Sequence, residues 1–113
     1  MNPPLAAALE RLSRVPGVRG AMIVDTAAGV PVASEVAAGV PAPAVAALAA
    51  SLFKRTAQAA AGFGALSTLQ LEADGGHVVI AGAGDVAIVA VAESAAQLGL
   101  VRLEVRRAAE GLR

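Results

Sequence analysis

Residues 66–92 read LSTLQLEADGGHVVIAGAGDVAIVAVA, and the fold turns on how this stretch is divided. Leu69 and Leu71 alternate with Thr68, Gln70 and Glu72. That period of two places apolar side chains on one face of a strand. Asp74-Gly75-Gly76 offers the glycine-rich backbone of a tight hairpin turn. A second strand is expected over 77–81, a second turn over 82–85 and a third strand over 86–92. Val86, Ile88, Val89 and Val91 are β-branched, which favours extended backbone over helix.

The same residues admit a rival division. Gly82-Ala83-Gly84-Asp85-Val86-Ala87 matches G-x-G-x-x-A directly after a strand, a loose form of the dinucleotide-binding fingerprint. It would make 85–98 a crossover helix and Glu104 the ribose-binding acid. Such a helix would be apolar on every face, residues 100–112 have helical rather than alternating periodicity, and too little chain follows to complete a nucleotide fold. The hairpin reading is therefore preferred, with a nucleotide-binding enzyme ranked last among the functions considered.

Outward from this hairpin, 94–97 (Ser-Ala-Ala-Gln) has the form of a capping box. A final helix is expected to follow to about Leu112, with Leu98, Val101, Val105, Ala108, Ala109 and Leu112 inward. Glu104 can meet Arg107, and Arg106 can meet Glu110, on its solvated face. At the other end, Leu5, Leu9 and Leu12 mark a short amphipathic helix stopped by Val15-Pro16-Gly17. A central strand over 19–26 and a partner over 30–34 come next. Pro31 lacks an N–H and assigns that partner to a sheet edge. Between the two halves, Pro41-Ala42-Pro43 opens a long helix ended by Gly62 and Gly64. From Val45 onward, Leu48, Ala49, Leu52, Thr56, Ala59 and Ala60 share one stripe, and Ala47, Ala50, Ser51, Lys54, Arg55 and Gln58 cover much of the opposite side. The order helix, two strands, helix, three strands, helix predicts one α+β domain over residues 1–113, an antiparallel sheet with helices on its faces.

Composition narrows the chemistry. The chain has 113 residues with nine basic and nine acidic side chains, 57% hydrophobic and 2% aromatic content, and no cysteine. Balanced charge and the absence of Tyr and Trp leave neither a phosphate-neutralising surface nor a stacking platform, so nucleic acid is not an expected partner. Without cysteine there is no disulfide, thiolate site or thiol nucleophile. No serine lies in G-x-S-x-G, and Lys54, the only lysine, is outside any P-loop motif. His77 is the only histidine and reads as a strand-entry residue. The uncharged stretch 36–53 is broken by Gly39, Pro41 and Pro43, so membrane insertion is not expected. Met-Asn-Pro-Pro-Leu has no basic n-region, and the cytoplasm is the expected compartment. Arg102, Arg106, Arg107 and Arg113 are interleaved with Glu104 and Glu110 and read as a solvated face. Lys54-Arg55, mid-helix among alanines, reads either as a solubilising face or as a patch that contacts an anion or a protein.

Several ordered stretches resemble the Roadblock family of dynein-light-chain roadblock type. They are Leu9-Glu10-Arg11-Leu12 through Val15-Pro16-Gly17-Val18-Arg19-Gly20, Ala21 to Asp25 with Gly29-Val30-Pro31-Val32-Ala33, the Asp74-Gly75-Gly76 hairpin, and Leu98-Gly99-Leu100-Val101-Arg102 with Arg106-Arg107-Ala108-Ala109. The resemblance implies an α/β sandwich with strand order 2-1-5-4-3, the terminal helices on one face and the middle helix on the other. It also implies a dimer, with itself or a roadblock paralogue, joined through the middle helix and the third strand. That places a self-interface on Ala47, Ala50, Ser51, Leu66, Thr68 and Gln70. Family members are typically non-catalytic platforms for small Ras-like GTPases, and some, such as the MglB-like proteins, are GTPase-activating. Contact with such a GTPase would fall on Lys54, Arg55 and Gln58, with Arg55 the one candidate for acting in trans. No catalytic residue, cofactor or metal ligand is expected in the chain itself. The alternative is a scaffold subunit for a kinase-like or motor complex that leaves GTP turnover unchanged.

Overall fold

The computed structural model describes residues 3–112. Arg113, the last of the arginine series, lies outside them. Along the chain come α1 (Pro3–Ser13), β1 (Val18–Asp25), β2 (Val30–Val36), α2 (Ala42–Ala59), a 3-10 turn (Ala61–Phe63), β3 (Thr68–Ala73), β4 (Gly76–Ala83), β5 (Val86–Glu93) and α3 (Leu98–Gly111). The sheet order is β2-β1-β5-β4-β3, and every neighbouring pair is antiparallel. The expected class, element order and strand order are all observed.

Two apolar layers hold the sandwich together. On one face, Leu9 and Leu12 of α1 and Val101, Val105, Ala108 and Ala109 of α3 cover Ala21, Ile23, Val79, Ile88 and Ala90 of the sheet. On the other, Ala46, Ala49 and Ala50 of α2 lie on Met22, Val24, Ile80, Ala87 and Val89. Alternate residues of β1 and β5 serve opposite layers, so these central strands are apolar through residues 21–24 and 86–92. Each fully buried Leu, Ile or Val contributes about 1.5–3 kcal/mol of transfer free energy. The alanines of α2 contribute less each, but they let the helix axis approach the sheet closely.

Gly82 explains the glycine that prompted the nucleotide reading. It is a β4 residue paired with Ala87, and a Cβ built on it would lie 2.7 Å from Cζ of Phe53. The phenyl ring of α2 rests where a side chain would be. The Gly-x-Gly spacing therefore combines a packing glycine with Gly84, whose φ of 69° serves the β4–β5 turn.

Several expectations are corrected. The 94–97 stretch is not a capping box: the Ala96 N–H closes a turn onto the Glu93 carbonyl at 3.0 Å. Gln97 itself precedes α3 and makes no side-chain cap. Ala96 lies close against Gly17, where a Cβ built on residue 17 would come within 2.6 Å of the Ala96 Cβ. On α2 the buried stripe is Ala46, Ala49 and Ala50, while Leu48 is 50% exposed. Of the stripe that the leucine spacing indicates, Ala49 is buried and Val45, Leu52 and Thr56 are half-buried, so the helix is turned only part of the way toward Ala46 and Ala50. Glu104 is not on a solvated face. Its side chain is 11% exposed between α3 and α1, within 3.3 Å of Arg107 and 3.7 Å of Arg11. Arg106 and Glu110 form no ion pair; both line a groove beside Thr68.

β2 runs two residues beyond the expected 30–34 and is an edge strand, as Pro31 requires. Its pairing skips a residue: Ile23 faces Ala33 while Val24 faces Pro31, so Val32 is extruded as a bulge. At the opposite edge, β3 pairs with β4 without interruption. Among the described residues, no helix is long and apolar enough to cross a membrane.

Candidate functional site

The β1–β2 turn is fixed by Asp25. Its Oδ1 accepts the N–H groups of Ala27 and Ala28, both at 2.9 Å, and its carbonyl accepts that of Gly29 at 2.8 Å. Thr26 ties the turn sideways, its hydroxyl and N–H both donating to the Asp85 carbonyl at 2.9 and 3.2 Å. Gly29 takes φ = 69°, a left-handed value that suits glycine. Its face lies over Ala47 and Ala50 of α2. The turn is thereby held as a wall beside the helix.

Between this wall and α2 is an open cleft of about 350 Å³. Residues 47, 51, 54, 55 and 58 recur every three or four positions and so share one stripe of the helix. Ala47 and Ala50 form the apolar floor, and Ser51, Lys54, Arg55 and Gln58 form the polar rim. No acidic side chain lines the cleft. Among the described residues, the side chains of Lys54 and Arg55 have no ion pair or hydrogen bond. Both are exposed.

Residues assigned from sequence to two separate roles thus share one surface. Lys54, Arg55 and Gln58, expected to touch a GTPase, line the same cleft as Ala47, Ala50 and Ser51, expected to touch a second copy. Ala50 is only 3% exposed and packs into the α2 layer, so its side chain is committed to the core. Leu66, Thr68 and Gln70 are elsewhere. Leu66 precedes β3, while Thr68 and Gln70 face the α3 side of the sheet, paired with Ala81 and Val79. Gln70 accepts a hydrogen bond from Arg102 of α3 at 3.4 Å. The β3 residues on the α2 side are Leu69 and Leu71, both half-buried, opposite Ile80 and Val78. The sequence places these two on the apolar face of the strand, but the self-interface was assigned to Thr68 and Gln70 on the other face. It also passed over Phe63, 98% exposed after α2.

His77 is 6% exposed in β4, with Nδ1 3.9 Å from a carboxylate oxygen of Glu72. It belongs to the sheet layer under α3, remote from the cleft. Among the described residues, no group of three or more His, Asp or Glu side chains is placed to hold a metal ion.

The sequence model of the Roadblock/LC7 domain matches residues 5–93, from the first helix to the end of β5. The chain belongs to the Roadblock/LC7 family. An uncharacterized protein of Methanocaldococcus jannaschii is 31% identical over 107 residues, which span 93% of each chain. Among solved structures, the Roadblock/LC7 chain is similar to the gliding protein MglB of Thermus thermophilus. The TM-score is 0.84 at 25% identity, covering 99% of this chain and 90% of that one. An MglB solved in a tetrameric arrangement aligns at the same TM-score with 28% identity, over 99% and 89% of the two chains.

Proposed function

We propose that this Roadblock/LC7 protein is a non-catalytic, dimeric regulator of a small Ras-like GTPase, with the outward face of α2 as its working surface. The full-length likeness to MglB at a TM-score of 0.84 carries this reading. The sequence resemblance set out above associates MglB-like proteins with GTPases. Two features of the fold agree with it. The cleft beside α2 sets the polar and cationic side chains of Ser51, Lys54, Arg55 and Gln58 around alanines, the mix of a protein-contact surface. The β3 edge is regular and half-apolar, suited to strand pairing with a second copy. Any stimulation of hydrolysis would come from holding the GTPase's own switch and phosphate-binding elements in their reactive arrangement.

The test is single-turnover GTP hydrolysis by Ras-like GTPases of the same genome, with and without this chain. Binding with acceleration supports a GTPase-activating role. Binding without acceleration places the protein as a scaffold. A complete failure to bind any of them removes the reading.

A further inference from the structure

We infer that the cleft between the β1–β2 turn and α2 receives an acidic segment of the partner protein, with Lys54 and Arg55 as the groups that recognise its carboxylates. The inference rests on the regulatory reading above and specifies the chemistry of the partner at that site.

Charge distribution is the first argument. On the other two helices acidic groups accompany the cations: Glu10 pairs with Arg14 just past the end of α1, Glu104 pairs with Arg107 and Arg11 between α3 and α1, and Arg106, though not ion-paired, shares a groove with Glu110. α2 has no acidic residue along its 18 positions, and its Lys54 and Arg55 find no partner among the described residues. The nearby Asp25 carboxylate keeps its charge, but its Oδ1 is turned to the N–H groups of Ala27 and Ala28 and the residue does not line the cleft. A cation pair in a recess without acids presents a positive potential that attracts and orients a negative group.

Shape gives the second argument. The floor of Ala47 and Ala50 is apolar and recessed, with Ser51 and Gln58 at the rim as hydrogen-bonding groups. Glu and Asp side chains fit both parts, methylene on the floor and carboxylate against the cations. A nucleic-acid strand does not fit as well. Two cations neutralise few phosphates, and no aromatic side chain lines the cleft for base stacking.

The test uses the intact ¹⁵N-labelled chain and an acetylated, amidated Glu-Gly repeat peptide. The Gln-Gly peptide of the same length and inorganic phosphate serve as comparisons. The Glu peptide should shift the amides of residues 26–29 and of Ser51, Lys54, Arg55 and Gln58 saturably. The shifts should weaken as salt is raised to about 0.15 M and vanish in the double variant K54E/R55E. Both side chains are exposed, so the remainder of that variant's spectrum should match the parent and report an intact fold. Equal shifts from the Gln peptide, tighter binding of phosphate than of peptide, or shifts outside the cleft would overturn the inference.

A second arm separates this inference from the functional reading. A GTPase that binds the parent should lose about ten-fold or more in affinity for K54E/R55E, while R106E on α3 binds as the parent does. A GTPase that binds K54E/R55E undiminished overturns the cleft's role and leaves the regulatory reading intact. Cleft-localised binding of the Glu peptide, with no GTPase bound by the parent, supports the acidic-segment chemistry and overturns the regulatory reading instead.

Discussion

At position 82 a hydrogen in place of a methyl group lets an aromatic ring of α2 reach the sheet. Gly82→Ala would bring Cβ to 2.7 Å from Phe53 Cζ, so either the ring swings out or the helix shifts. The expected cost is about 1–3 kcal/mol, the range for overpacking a filled site, measured by urea unfolding. In the double variant G82A/F53L the cost of the alanine should shrink, because the smaller side chain clears it. Equal costs in both backgrounds would show that the ring is not what excludes the methyl group. The motif at 82–87 was legible as a turn and the start of a strand from the β-branched residues that follow. The reason for its first glycine was not, because Phe53 is far away in the chain. Glu104 was misplaced for a similar cause. Its neighbour Arg107 is three residues on, whereas Arg11, which draws it inward, is on another helix.

Elements show the same division between local and long-range information. Strands with strict alternation or β-branched runs were placed to within a few residues, and turns rich in glycine were found. The rotation of α2 was not, since both its faces are built from small apolar residues and hydrophobicity alone does not choose between them. Ala46 decides the matter, being fully buried against Met22 and its neighbours while Leu48 looks outward. Ala46→Leu should lower the unfolding free energy by about 1–3 kcal/mol. Leu48→Ala should change it by less than about 0.5 kcal/mol, as a surface substitution does. Any further effect of the latter belongs to self-association and is read separately by sedimentation. A costly Leu48→Ala and a neutral Ala46→Leu would return the leucine face to the core. The candidate site was half legible: Lys54, Arg55 and Gln58 were singled out from sequence, but their juxtaposition with the β1–β2 turn depends on a sheet that only the tertiary fold assembles.

For the whole molecule, the question is what covers the outer face of α2 and the β3 edge. On the proposed dimer, Leu48→Glu should lower the mass seen by sedimentation velocity and leave the far-ultraviolet spectrum intact. Leu48 is exposed and lies outside the cleft, and its change spares the core, unlike a change at Ala50. An unchanged mass would take this face of α2 out of the self-interface. The two edges of the sheet also differ in kind: β3 runs straight, whereas β2 carries Pro31 and the extruded Val32. Two copies joined along β3 would expose only β2 at both ends, where a missing donor and a broken ladder discourage another strand. Growth along the sheet thus has a built-in stopping point. The protein can use the same backbone chemistry that drives fibre formation and still form a closed, countable assembly.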